Sequence, residues 1–164
     1  MREIHTNLFV GGDDACASCA TKPEFAILHA CKSCHQEALA YRSALPPSHP
    51  SYLIHENPSH LYLNMVDMPN ELLPEYTHPM VKRAMEFIEQ NLKTKKVLIH
   101  CNFGMSRSPS LGLIYLARTG IIPKSSLEKA AGVFAKLYPR YSPGEGISLY
   151  MKRNWDYLMG DLSQ

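Results

Sequence analysis

The 164-residue chain predicts an α/β fold: a single three-layer domain whose central mixed sheet of four to five strands is flanked by helices. Three observations carry that prediction. Short apolar runs rich in β-branched residues alternate with longer stretches of helical periodicity, the pattern of strands covered by helices. A length of 164 residues suits one domain over residues 1–164, with no internal repeat and no second compositional region. The third observation is the segment Lys95 to Thr119, which reads as strand, tight loop and helix in immediate succession.

Taken in order, Leu8 to Val10 is a short strand ending at Gly11-Gly12, and Phe25 to Ala30 (FAILHA) is a second. Residues 44–60 carry four prolines and three histidines and read as a long loop. Leu61 to Val66 is a strand, followed by the turn-rich MPNELLP. His78-Pro79 opens a helix with apolar positions at Met80, Val81, Ala84, Phe87, Ile88 and Leu92. Lys96 to His100 is the central strand: apolar, partly β-branched and opened by lysines. Ser108 to Thr119 is a helix stopped by Gly120. Ser125-x-x-Glu128 forms a capping box for a helix running to Tyr138. A last helix spans about Ile147 to Leu158, with Trp155 as a core anchor.

Composition narrows the function classes. A net charge of +2 and a pI of about 8.3 are too balanced to point to nucleic acid or a membrane surface. No apolar stretch approaches a membrane-spanning length, and MREIHTNLFVGGDD has no signal-peptide core. The expectation is a cytoplasmic monomer in a reducing compartment.

The densest chemistry lies in His100 to Ser110, HCNFGMSRSPS. Cys101 sits where the strand ends and Arg107 where the next helix starts, with Ser108 directly after it. Backbone N–H groups of such a turn point inward, and the helix N-terminus adds partial positive charge. That environment stabilises an anion, be it a thiolate or a phosphate-like group. Cys101 as thiolate can attack phosphorus and form a covalent intermediate. Arg107 offers a planar fork matching two phosphoryl oxygens. Gly104 allows the loop to close tightly. Ser108 is placed to donate toward the Cys101 sulfur as it leaves. His100 reads as an orienting residue that donates to loop carbonyls. Asn102, Phe103, Gly104, Met105, Ser106 and Arg107 would line the substrate's phosphoryl group. A leaving oxygen also needs a proton, and Asp67, after an apolar strand and before a loop, is the candidate acid. Glu71 and Glu75 are weaker rivals because they lie farther from the strand end.

These residues resemble the cysteine-dependent protein tyrosine phosphatases, and within them the small dual-specificity branch. YLNMVD at Tyr62 to Asp67 is similar to the family strand ending in the general-acid aspartate, 34 positions before Cys101. MEFIEQNL followed by KKVLIHC, then LGLIYLAR and SSLEKAAGVFAKLYPRYSPGEG, resemble the helices, central strand and Ser-Pro turn of that family. The likeness runs from about Leu61 to Trp155 and more weakly through NLFVGG. It implies hydrolysis of phosphotyrosine, and more weakly of phosphoserine or phosphothreonine, in phosphorylated protein substrates, with no cofactor and no metal. The neutral loop positions Asn102, Phe103 and Met105 favour that reading over a phosphoinositide or RNA 5′-phosphatase, where extra cationic residues are expected. A binding module without turnover would share the fold, but Cys101 and Arg107 are both intact. One departure stands out: the family often has an asparagine after the Ser-Pro pair, and this chain has Gly144.

Cys16, Cys19, Cys31 and Cys34 form C-x2-C…C-x2-C beside His35. The spacing admits a zinc site on four thiolates, a resolving thiol for oxidised Cys101, or free inert thiols, the last being the expectation.

Overall fold

The computed structural model describes residues 1–162. Its sheet has six strands in the order β1-β2-β6-β3-β5-β4. The strands are β1 (Arg2–His5), β2 (Leu8–Gly11), β3 (Phe25–His29), β4 (Ile54–Asn57), β5 (His60–Leu63) and β6 (Lys96–His100). The inner four, β2, β6, β3 and β5, run parallel, and antiparallel β1 and β4 close the two edges. The sheet is therefore mixed, as expected, but has six strands instead of four to five.

Both extra strands are edges. β4 lies inside the proline-rich stretch expected to be a loop: Pro58-Ser59 turns the chain, and Asn57 Oδ1 accepts the Ser59 and His60 amides at 3.3 and 3.1 Å. Exposed, polar edge strands such as REIH and IHEN lack the apolar run that marks a buried strand.

Helices cover both faces. α1 (Asp13–Cys19) packs on β2 and β6, and α2 (Lys32–Leu39) on β4 and β5. On the opposite face α3 (Pro74–Asn91) packs on β3, β5 and β6, and α4 (Arg107–Arg118) on β2 and β6. α5 (Leu127–Leu137) and α7 (Trp155–Met159) pack on α4, and α6 (Glu145–Arg153) leads into α7. Strand alternation divides the core. Val10, Ala26, Leu28, Val97 and Ile99 join the main cluster, whereas Phe25, Ile27 and Leu98 meet Ala15 and Cys19 of α1.

Several boundaries shift for physical reasons. α3 starts at Pro74, a proline in the first turn, and carries Pro79 in its interior instead of opening there. Glu75, whose carbonyl loses its partner, is exposed and can be hydrated. Ser126, not Ser125, caps α5, accepting the Lys129 amide at 3.3 Å. The C-terminal helix breaks at Asn154, whose side chain donates to the Tyr150 carbonyl at 2.8 Å. Trp155 is 7% exposed and donates to Lys124 O, the anchor expected of it. Among the described residues no helix is long and apolar enough to cross a membrane.

Candidate active site

The register brings Gly11, His29 and His100 level at the carboxyl ends of three parallel strands, the edge where α/β sheets hold ligands. The loop from Cys101 to Ser106 leaves this edge and enters α4 at Arg107.

The loop is held from every side. Gly104 adopts φ +68°, and a Cβ there would stand 2.6 Å from the Gly11 carbonyl carbon, so only glycine fits. Tyr138 Oη donates to Gly104 O at 2.7 Å, and Arg140 to Phe103 O at 3.2 Å. The Ser142 amide donates to Met105 O at 2.9 Å. Asn102 Nδ2 reaches Asp13 and Ser33 at 3.2 and 3.0 Å. None of these braces was foreseen except the turn itself, because they arrive from distant sequence.

Cys101 is buried, with its Sγ 3.1 Å from Ser108 Oγ. Ser108 Oγ also lies 3.1 Å from the Gly11 carbonyl, an alternative acceptor for its proton. Arg107 donates from Nη1 to Met65 O at 3.0 Å and from Nη2 to Asn102 Oδ1 at 2.9 Å. Its Nε is buried without a hydrogen-bond partner, and Asp67 Oδ2 stands 3.6 Å away. Asp67 Oδ1 accepts from Ser106 Oγ at 3.2 Å, and Ser106 Oγ accepts from the Gly144 amide at 2.9 Å. A Cβ on residue 144 would sit 2.5 Å from Asp67 Oδ1. Gly144 thus makes room for Asp67 and braces the loop through its backbone.

A cavity of about 200 Å³ joins Asp67, Cys101, Phe103, Met105, Ser106 and Arg107, with Ser142 and Gly144 completing the wall. Phe103 is 76% exposed and stands at its mouth. Ser108 lies beneath. The Asn102 side chain holds Arg107 and does not line the cavity, and Gly104 serves the loop's shape.

His100 Nε2 meets His29 Nδ1 at 2.7 Å, its Nδ1 faces Asp13 Oδ1 at 3.5 Å, and the ring also faces the Cys101 backbone. The ring is thus tied both to the root of the loop and to neighbours from distant sequence. Burial pushes His100 down to about 4. Burial, then repulsion from His100 and His60, pushes His29 down to about 2. Both rings are neutral at physiological pH.

The four other cysteines do not converge as a set. Cys19 Sγ donates to Ala15 O at 3.0 Å and faces the core with α1. Cys31 and Cys34 sulfurs lie 3.1 Å apart at the start of α2. Cys16 lies beside His29, its thiol pushed up to about 12 by burial. His35 turns instead to Tyr41 Oη at 2.9 Å.

No family model matches the chain. Over 101 residues it is 33% identical to a dual specificity protein phosphatase, YVH1, of Plasmodium falciparum, covering 58% of this chain and 16% of that protein. Among solved structures, the human tyrosine phosphatase-like serine/threonine/tyrosine-interacting protein superposes with a TM-score of 0.67 at 19% identity, covering 98% of each chain. The Yvh1 phosphatase domain of Chaetomium thermophilum superposes with a TM-score of 0.61 at 20% identity, covering 92% of this chain and 91% of that one. The chain spans about a sixth of the length of the curated relative it matches, and the solved structures share its fold. With a Cys-x5-Arg loop closed over the sheet edge and an aspartate facing its arginine, the chain is similar in sequence to a dual specificity protein phosphatase over 58% of its length and shares the fold of the solved phosphatase and phosphatase-like structures.

Proposed function

We propose that the chain is a phosphoprotein phosphatase that hydrolyses phosphotyrosine, and more weakly phosphoserine and phosphothreonine, through a phosphocysteine on Cys101. The observation that carries this reading is the orphaned, buried Arg107 Nε beside the Cys101 cavity. A buried N–H without an acceptor is costly unless a ligand supplies one, and a phosphoryl oxygen is the acceptor this fork suits.

In the first step the Cys101 sulfur attacks phosphorus as the ester oxygen departs, taking a proton from the Asp67 carboxyl. Arg107 and the loop amides hold the equatorial oxygens while charge redistributes. In the second step water attacks phosphorus, Asp67 accepts its proton, and the sulfur leaves as thiolate. The Ser108 hydroxyl, 3.1 Å from that sulfur, supports its departure. Asn102 acts indirectly by fixing Arg107 Nη2.

Phe103 and Met105 present apolar surface at the mouth, which suits an aromatic phosphoester better than a polyanionic headgroup or a triphosphate. The whole chain serves as one catalytic domain, acting in the cytoplasm as a monomer without nucleic-acid partners. A kinetic panel on one preparation tests the assignment, using phosphotyrosine peptides, phosphothreonine peptides, phosphoinositides and triphosphorylated RNA. The highest kcat/KM is expected on phosphotyrosine peptides; preference for lipid or RNA would overturn the substrate class.

A further inference from the structure

We propose that the face of the sheet opposite α3 and α4 carries a zinc site built by Cys16, His29, Cys34 and His100. Cys16 Sγ, His29 Nδ1 and His100 Nε2 converge on one spot at the root of the catalytic loop, and Cys34 Sγ adjoins that spot through His100. Cys16 Sγ lies 4.0 Å from His29 Nδ1, His29 Nδ1 lies 2.7 Å from His100 Nε2, and His100 Nε2 lies 3.9 Å from Cys34 Sγ. The ligand atoms of Cys16, His29 and His100 all fall within 4.8 Å of one another. Zinc–sulfur bonds of ~2.3 Å and zinc–nitrogen bonds of ~2.0–2.1 Å require tetrahedral edges of about 3.3–3.8 Å. Cys16, His29 and His100 stand near that spacing, and the Cys34 side chain swings in from beside His100 to complete the set. The short nitrogen–nitrogen edge is a hydrogen bond between imidazoles; on binding, its proton moves to the outer nitrogen, with His29 Nε2–H donating to His60 Nδ1, and the metal occupies the place between the rings.

The outer partners are those that metal-bound histidines use. His29 turns its other nitrogen to His60 Nδ1 at 2.9 Å, and His100 turns its own to Asp13 Oδ1 at 3.5 Å. A carboxylate or ring acceptor behind each imidazole fixes the tautomer that leaves the inner nitrogen free to bind. His60 stacks on Tyr62, which holds that ring in place. Cys16 and Cys34 are only partly buried and the Asp13 side chain is 57% exposed, so the ion has a way in.

The chemistry of the donors selects the ion. Two thiolates and two imidazoles form a borderline-soft set that suits zinc over magnesium or calcium, and binding releases the thiol protons. Four protein ligands leave no open position, which makes the site structural. Each C-x2-C pair contributes one cysteine, and two histidines from strand ends replace Cys19 and Cys31. His100 precedes Cys101, and Asn102 donates to Asp13 Oδ2, so an ion here would stiffen the root of the catalytic loop.

The test uses the full chain, reduced and stripped of metal, then equilibrated with zinc alone or cobalt alone. Stoichiometric zinc by elemental analysis is expected. With cobalt, thiolate-to-cobalt charge-transfer absorption and the intense visible bands of a tetrahedral ion are expected. Cys16→Ser and Cys34→Ser should each weaken zinc binding by more than about 10-fold, the smallest loss usual even when only a partner behind a ligand is removed. Cys19→Ser and Cys31→Ser should keep the affinity and the spectrum. Thermal unfolding of each metal-free variant separates lost binding from lost folding. Zinc at background in the wild type overturns the proposal. So does loss of binding in Cys19→Ser, which would indicate four thiolates. Loss in Cys31→Ser with retention in Cys16→Ser also overturns it, because the ligands would then be Asp13, Cys31, Cys34 and His100.

Discussion

His100 and Cys101 are neighbours in the chain, yet they serve opposite sides of the sheet. Cys101 joins the core beneath α4 and opens into the cavity shared with Asp67 and Arg107. His100 turns to the α1 and α2 side, where it meets His29, Cys34 and Asp13. Alternation along a strand produces this division. The two regions use similar residue types to different ends. Around Cys101 a buried guanidinium keeps an unmatched donor beside an open cavity. Around His100 thiols and imidazoles face one another, and their outer atoms are backed by His60 and Asp13. A donor left without an acceptor marks a place for a passing anion. Donors turned on one another mark a place for a resident ion.

The predictions that sharpen this contrast begin with Asp67. Asp67→Asn should lower kcat/KM on phosphotyrosine peptides by about 10²–10⁴-fold, with a much smaller loss on an aryl phosphate whose leaving group needs no proton. Equal losses on both substrates would move the acid role elsewhere. Arg107→Lys keeps the charge but loses the fork. Steady-state kinetics should show a loss of about 10²–10³-fold, the range seen when one oxyanion donor is removed.

Gly104→Ala attacks the loop's shape, not its chemistry. The left-handed backbone and the 2.6 Å approach to Gly11 together cost at least about 2 kcal/mol. A fall in Tm on the order of 5 °C or more is expected by calorimetry. An unchanged Tm would mean that the loop does not press on Gly11.

The smallest effect lies far from both regions. His78 stacks on Tyr157 at 3.6 Å, and its Nδ1 lies in hydrogen-bond contact with Tyr150 Oη at 2.8 Å. Burial lowers its pKa in the folded state. Below about pH 6.5 the unfolded chain takes up a proton that the folded chain refuses, so stability falls as pH drops and is unaffected above. Tm measured from about pH 7.5 to 5.5 should fall less steeply in His78→Phe than in the wild type.

Much of the candidate site's geometry was legible because its residues are local in sequence. Cys101, Arg107 and Ser108 lie within one strand–loop–helix unit whose periodicity and glycine are visible in the sequence. Asp67 could be named because a strand end precedes it. Its neighbours could not be: Gly144, Tyr138, Arg140 and Asp13 reach the loop only through tertiary packing. One helix start and one helix break were misplaced because each depends on a single side-chain bond, at Ser126 and at Asn154, while α3 begins earlier at Pro74 with no side-chain cap to mark it. The edge strands β1 and β4 were invisible because polar edges lack a hydrophobic signature. The cysteine spacing left zinc, a resolving thiol and free thiols all open, with free thiols the expectation. The structure sets Cys16 beside His29 and Cys34 beside His100, neighbours that no spacing rule connects.

The central claim is that the Cys101 sulfur carries the phosphoryl group during turnover. Rapid acid quenching of wild-type enzyme during hydrolysis of a phosphotyrosine peptide, followed by peptide mass spectrometry, tests it directly. A phosphorylated peptide containing Cys101, absent from Cys101→Ser, which should itself be slower by about 10⁴–10⁶-fold, is the expected result. Full turnover with no such adduct, or substantial activity in Cys101→Ser, would contradict the account.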